Sequence, residues 1–238
     1  MLELKNISFQ AEDEKEILKD VSLKIDDKIV VITGPNGGGK STLAKVIAGI
    51  VTPTGGQILL DGEDITGYSV TERANAGISL AFQQPVRFKG LTVRDLITIA
   101  AGKELNVSEA CSYLSEVGLC AKDYIDRELN ASLSGGEIKR IEIATILARG
   151  SKFSIFDEPE AGIDLWSFQS LIRVFEKMQK EYKGTILIIS HQERILDIAD
   201  KIIYIKDGMV EQYGPKDEIL KTLINAVQPG CDVLMQKI

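Results

Sequence analysis

The sequence predicts an α/β fold. Its core is a mostly parallel sheet, antiparallel strands open the chain, and a small helical unit is inserted in the middle. Three observations carry this expectation. Ile29-Val30-Val31-Ile32 and Gly184-Thr-Ile-Leu-Ile-Ile-Ser190 are continuous apolar runs of strand length, as expected of strands buried on both faces. The first runs straight into the glycine-rich stretch Gly34-Pro35-Asn36-Gly37-Gly38-Gly39-Lys40-Ser41-Thr42, and a helical pattern from Ser41 to Ile50 follows. From Leu91 to Leu129 the pattern is helical with no strand interrupting it.

Each element has a local reason. Leu2–Phe9 and Val21–Ile25 alternate apolar and polar residues, which suits antiparallel strands with one wet face. Ile58-Leu59-Leu60 ends at the turn dipeptide Asp61-Gly62. Ser79–Phe82 is a strand followed by Gln83-Gln84-Pro85, and Pro85 and Gly90 mark a change of composition. Thr92 is placed to cap a helix with Val93, Leu96, Ile97 and Ala100 on one face. Ser108 is placed to cap a second, with Cys111, Leu114 and Val117 inward and Gly118 as its stop. The core resumes at Ser134, so residues 1–84 and 134–238 form one unit and residues 85–133 an inserted helical lobe. Ser134 opens a helix with Ile138, Ile141, Ala144 and Ala148 on one face. Phe153–Phe156 is a buried strand ending at Asp157-Glu158. Ile202–Ile205 and Met209-Val210 flank the hairpin turn Asp207-Gly208, and the tail from Pro215 reads as an amphipathic helix.

Bulk properties narrow the function. A chain of 238 residues is long enough for one α/β domain with a real core and a small lobe. No apolar run approaches the roughly 20 residues that span a bilayer, and Met1-Leu2-Glu3-Leu4 opens directly into a strand pattern. The expectation is a cytoplasmic protein with no direct membrane insertion. A net charge of −7 with both signs mixed along the chain argues against a nucleic-acid partner. Cys111, Cys120 and Cys231 form no C-x-x-C pair and His191 is the only histidine, so zinc or iron–sulfur ligation by this chain alone lacks ligands. The cysteines read as free thiols in a reducing compartment, small packing residues rather than reactive ones.

The chemistry-bearing residues form a series. Gly34–Thr42 fits G-x-x-x-x-G-K-S/T, a loop whose backbone N–H groups cradle phosphates. Lys40 supplies a cation to the β- and γ-phosphates, and Ser41 a hydroxyl for Mg²⁺. Asp157 at a strand end suits the Mg²⁺ shell, and Glu158 reaches the attacking water. Gln83, with Gln84 as the second choice, offers an amide oxygen to Mg²⁺ or that water. A lone histidine is usually a packed or surface residue. His191 follows a parallel strand, however, where ligands gather, and is placed to sense a γ-phosphate. Ser134-Gly135-Gly136 opens a helix whose N-terminus suits an anion.

These motifs in this order resemble the nucleotide-binding domain of ABC ATPases over essentially the whole chain. The resemblance implies a P-loop NTPase of ABC type with ATP and Mg²⁺ as ligands. Gly34–Thr42 is then Walker A, Gln83 the Q-loop, and Leu133–Glu137 the signature. Walker B ends at Asp157, Glu158 is the catalytic carboxylate, Asp164 lies in the D-loop, and His191 is the switch histidine. It also implies a transient ATP-dependent homodimer, each P-loop facing the partner's Ser134 helix. Within that family, Ala81–Val86, Ser134–Ile143, Asp157–Asp164 and His191–Asp197 are similar to the SufC branch, the soluble ATPases of iron–sulfur cluster assembly. That likeness implies a soluble SufB/SufD-like scaffold as partner. The alternative is the motor subunit of an ABC importer docked on a separate membrane permease. Two departures stand out. Gln10–Glu16, where ABC transporters usually carry an adenine-stacking aromatic, holds none, Phe9 being the nearest ring, and the helical lobe is short. Val86 and Phe88, next to Gln83, are expected to be exposed and to dock the partner.

Overall fold

Apolar patterning assigns the chain to two sheets. In chain order the elements are β1 (Leu2–Gln10), β2 (Glu16–Ile25), β3 (Ile29–Thr33), α1 (Lys40–Ala48), β4 (Gly55–Leu60), β5 (Glu63–Asp64), α2 (Val70–Ala76) and β6 (Ile78–Ala81). The helical stretch α3 (Val93–Ala101), α4 (Val107–Glu116) and α5 (Ala121–Tyr124) follows, then α6 (Gly135–Arg149) and β7 (Phe153–Asp157). The chain continues through α7 (Leu165–Glu181), β8 (Thr185–Ile189), α8 (Glu193–Asp197), β9 (Lys201–Lys206), β10 (Met209–Pro215) and α9 (Lys216–Val227). This computed structural model describes residues 1–11, 14–84, 86, 88–130 and 133–227, without the side chains of 224–227. The expectations at Pro85, at Cys231 and in the tail past Val227 lie outside the described residues. No helix among the described residues is long and apolar enough to cross a membrane.

The alternating amino-terminal segments pair antiparallel in a four-stranded sheet of order β2-β1-β4-β5, with Leu2 opposite Ile25 and Leu60. The continuous apolar runs enter a six-stranded sheet of order β10-β9-β3-β8-β7-β6. Neighbours from β9 to β6 are parallel, and β10 returns antiparallel through Asp207-Gly208. Every residue of β3, β7 and β8 is buried, because this sheet is covered on both faces. The period of two sorts their side chains. Val30, Ile32, Phe153, Ile155, Leu187 and Ile189 pack with α1 and the antiparallel sheet. Ile29, Val31, Phe156, Ile186 and Ile188 pack with the helices from α3 to α7.

Helix starts follow their caps. Ser69, Thr92, Asn106 and Ser134 each make a reciprocal capping box with the acidic residue three positions on. The expectation that Ser108 caps the second lobe helix is corrected: Asn106 is the cap. Asn106 has Glu109 three residues later to complete the box, whereas Ser108 has Cys111 there and falls inside the first turn. Ser154, polar inside an apolar strand, is fully buried, and its hydroxyl meets the Tyr182 hydroxyl at 3.0 Å.

Arg73 is 1% exposed and shows how α1 ends. Its guanidinium donates to the carbonyls of Val46 (2.6 Å), Ile47 (2.9 Å), Thr66 (2.8 Å) and Tyr68 (3.2 Å). Two of these are carbonyls of the last turn of α1, at its negative dipole end, and that of Val46 also accepts from the Gly49 N–H. Arg73→Met removes every one of those donors while keeping apolar bulk. It is expected to lower unfolding free energy by about 3 kcal/mol, read from urea unfolding. A loss below about 1 kcal/mol would mean water replaces the guanidinium at no cost.

Candidate active site

Four loops converge because four neighbouring strands run the same way. β3, β8, β7 and β6 are consecutive in the sheet and parallel, so their carboxyl ends share one edge. Gly34–Gly39 leaves β3, His191 follows β8, Asp157-Glu158 ends β7 and Gln83 follows β6. This edge of an open α/β sheet is where ligands bind. A cleft of about 670 Å³ lies there, bounded by Asn36, Lys40, Ser41, Thr42, Gln83 and Glu158.

The glycine-rich loop is held tightly against the sheet. Gly34 has φ 137°, and a Cβ on it would stand 1.9 Å from the Ile205 carbonyl oxygen of β9, so no side chain fits. Lys40 is 6% exposed, and its ammonium donates to the carbonyls of Gly34 (2.8 Å) and Pro35 (2.9 Å). These bonds clamp the loop and leave a third N–H for an anion. Burial pulls the Lys40 pKa below its ordinary value, and Glu158 and Asp157 oppose that pull. Ser41 donates to Asp157 Oδ1 at 3.0 Å. Burial raises the Asp157 pKa, against the stabilising Ser41 bond. A hydroxyl and a carboxylate so placed are hard oxygen donors, the set Mg²⁺ takes when phosphates complete its shell. The residues present fit that ion.

Glu158 lies at φ 45°, in the left-handed region disfavoured for a side-chain-bearing residue. Its N–H donates to the Ile189 carbonyl at 3.0 Å, and its own carbonyl accepts from Lys139 Nζ at 2.9 Å. Its carboxylate accepts from Gln83 Nε2 at 2.5 Å. Gln83, not Gln84, therefore faces the cleft. The imidazole Nδ1 of His191 stands 3.5 Å from Thr33 Oγ1 at the end of β3. Partial burial, and then the Lys40 ammonium, hold the His191 pKa below the usual value, with Glu158 acting the other way.

Ser134, Gly135 and Gly136 stand apart. They open α6, and Ser134 Oγ already accepts from the Glu137 N–H at 3.3 Å, so the helix start is capped rather than bare. Its hydroxyl proton stays available. These residues line no part of the described phosphate cleft. Asp164 caps α7, accepting from the N–H groups of Trp166 and Ser167 at 3.0 Å each. Hydrogen bonds from Ser167 lower its pKa.

Sequence reasoning missed three contributors. Lys139 is 4% exposed and fixes the Glu158 carbonyl. Glu160 accepts from the fully buried Ser190 at 2.5 Å, behind His191. Ile17, Lys19 and Asp207-Gly208 form the far end of the cleft. One signal was readable: Lys139, Glu142, Ile143 and Ile146 follow a helical stripe, and two charges on a stripe with buried isoleucines mark a buried polar contact. No aromatic ring lines the cleft among the described residues, and Phe9 packs against the core of the antiparallel sheet.

Glu142 Oε1 accepts from the Phe82 N–H at 3.2 Å, and burial raises its pKa from 4.5 to about 7. The folded state then binds a proton that the unfolded state releases, so stability falls as pH rises from 4.5 to about 7 and levels off above. Glu142→Gln keeps the acceptor without the titration. Its melting temperature is expected to lack this fall, and at neutral pH it is expected to gain about 1–3 kcal/mol over the parent. Parallel pH profiles of the two proteins would contradict this assignment.

Comparison with known proteins agrees with the geometry. The family model described as ABC transporter matches residues 18–161. An uncharacterised ABC transporter ATP-binding protein of Methanocaldococcus jannaschii is 39% identical over 86% of this chain and 85% of its own. The spermidine/putrescine import ATP-binding protein PotA of Mesoplasma florum is 31% identical over 92% of this chain and 63% of its own. Among solved structures, a dimeric ATP-binding cassette in a post-hydrolysis state with ADP and Pi superposes with a TM-score of 0.80. It is 26% identical and covers 91% of this chain and 99% of that one. ABC cassettes dimerise, and they are ATPases that generally bind ATP with Mg²⁺. With the phosphate loop, the Asp157-Glu158 strand end and the Ser134 helix in their places on this fold, the chain belongs to the ABC transporter family as an ATP-binding cassette ATPase.

Proposed function

We propose that two copies of this chain close head to tail on two Mg-ATP molecules and that hydrolysis reopens them, moving a partner docked beside Gln83. The observation that carries this reading is the split site. Lys40, Ser41, Asp157, Glu158, Gln83 and His191 converge at one edge of the sheet. Ser134-Gly135-Gly136, a capped helix start whose Ser134 hydroxyl proton stays available to an anion, lies outside that cleft and needs a second copy to face a phosphate.

In this reading the Gly34–Thr42 N–H groups and Lys40 hold the β- and γ-phosphates, and Ser41, Asp157 and Gln83 hold Mg²⁺. The metal ion supplies charge neutralisation on the phosphoryl oxygens. Glu158 accepts a proton from the attacking water, His191 Nε2 contacts the γ-phosphate, and Asp164 fixes the loop that meets the other copy. Gln83 touches Glu158 and leads directly into the lobe, 85–133, so it links the state of the cleft to the docking surface.

That surface is an apolar groove of about 370 Å³ between β6, α3 and α6. Phe82, Val86 and Phe88 line it while 37%, 48% and 40% exposed, which favours docking over internal packing. The first partner is a separate membrane permease of an importer, in keeping with the relative named as an import ATP-binding protein. A second reading, a soluble SufB/SufD-like iron–sulfur scaffold, rests on the SufC-like run Ser134–Ile143. In that run Lys139 donates to the Glu158 carbonyl and Glu142 accepts from the Phe82 N–H. Affinity capture decides between them: a detergent-dependent membrane partner supports the first reading, a soluble one the second.

Glu158→Gln is expected to bind ATP normally, lose hydrolysis by about 100-fold or more, and accumulate as an ATP-dependent dimer on size-exclusion chromatography. Hydrolysis at the parent rate would remove Glu158 from the role of catalytic carboxylate. Val86→Asp with Phe88→Asp is expected to lose the captured partner while ATP affinity of the isolated subunit stays within about twofold. Retained capture with a lowered melting temperature would make the loop part of the core.

A further inference from the structure

α7 begins with an apolar pair that its own fold leaves uncovered. Leu165 is 62% exposed and Trp166, the sole tryptophan of the chain, 77% exposed. The buried stripe of α7 is Leu171, Val174, Phe175 and Met178, and neither Leu165 nor Trp166 falls on it. The pair cannot swing inward by unwinding the turn, because Asp164 accepts from the Trp166 and Ser167 N–H groups and from the Ser167 hydroxyl at 2.7 Å. A large ring presented to water from a capped helix turn is costly for a lone subunit and suits a contact surface.

Its position names the occupant. The first turn of α7 packs closely on the first turn of α6. A Cβ on Gly136 would stand 3.2 Å from Ser167 Oγ, and one on Gly135 would stand 3.4 Å from the Gly162 carbonyl oxygen. The exposed pair is therefore continuous with the Ser134-Gly135-Gly136 face, which has no phosphate cleft of its own to meet. We propose that Leu165 and Trp166 are an apolar anchor buried against a second copy of this chain when two copies close on nucleotide. This rests on the head-to-tail reading above. Phosphate contacts there supply charge complementarity, and the anchor adds desolvated aromatic area beside them, the kind of contact that dominates interface energy.

The lone indole reports its own burial. In the Glu158→Gln protein with Mg-ATP, dimer is followed by light scattering and Trp166 by emission and acrylamide quenching. The expected result is a blue-shifted emission and a several-fold fall in quenching that track dimer formation and vanish on dilution. Trp166→Ser in that background is expected to weaken the dimer about tenfold or more, with monomer ATP binding unchanged and Trp166→Phe restoring most of the loss. A dimer with Trp166 still quenched as in the monomer, or one equally tight with Trp166→Ser, overturns the anchor and leaves the dimer standing. Absence of any ATP-dependent dimer overturns the two-copy reading itself. Shielding of Trp166 only on addition of a permease or scaffold assigns the patch to that partner and overturns the anchor.

Discussion

The parallel ladder joining β3, β8, β7 and β6 is the constraint on which the site depends. Ile29 pairs with Ile186, Phe153 with Thr185 and Ile78 with Phe153, so the carboxyl ends of these strands fall in line. Residues as far apart as Ser41 and Asp157 meet at 3.0 Å for that reason alone. Two-sided burial keeps the ladder in register, since a slip of one residue would exchange the side chains facing α1 with those facing α7. The phosphate loop then needs little further support. Gly34 lies on the Ile205 carbonyl and the Lys40 ammonium ties the loop to itself.

α6 is the second organising element, and it serves three neighbours at once. Its apolar stripe packs on the lobe helices and the sheet. Its Lys139 reaches the Glu158 carbonyl, its Glu142 holds the Phe82 N–H, and its first turn is pressed on α7 through Gly136. The Asp157-Glu158 strand end, the base of the apolar groove and the exposed Leu165-Trp166 pair are thus attached to one helix. Buried lysine and glutamate on such a helix are expensive unless each has a partner. Here both do, and burial shifts both pKa values toward the neutral form. A movement of α6 would be felt at the cleft, at the groove and at the face presented to a second copy. In the function proposed above, such a movement is what carries nucleotide chemistry to a docked protein.

Most of the fold was legible in the residues because its signals are local. Periodicity separated the alternating β1 and β2 from the continuous β3 and β8, and turn chemistry placed the Asp61-Gly62 turn and the Asp207-Gly208 hairpin. The missed cap at Asn106 shows the limit of reading a single residue: a cap is a reciprocal pair, and Ser108 lacked its acid three positions on. The short helices α2, α5 and α8 carry too few residues for a periodic signal.

By itself the sequence singled out the phosphate loop, the acidic strand end, Gln83 with Gln84 beside it, the histidine and the Ser134 helix start as candidate site residues, since each is a short motif whose chemistry follows from residue type and spacing. Only the tertiary structure decided which of these share a cleft. Gln83 rather than Gln84 meets Glu158, His191 stands beside Thr33, and Ser134-Gly135-Gly136 is left facing outward. It also decided that Lys139 is buried, that Glu142 and Glu160 are half-buried and hydrogen-bonded rather than free surface charges, and that Trp166 is exposed. The physical reason is that convergence and burial are fixed by strand order and by which helix face meets which neighbour. These contacts span up to 158 residues of chain, as between Thr33 and His191, and local spacing carries no record of them.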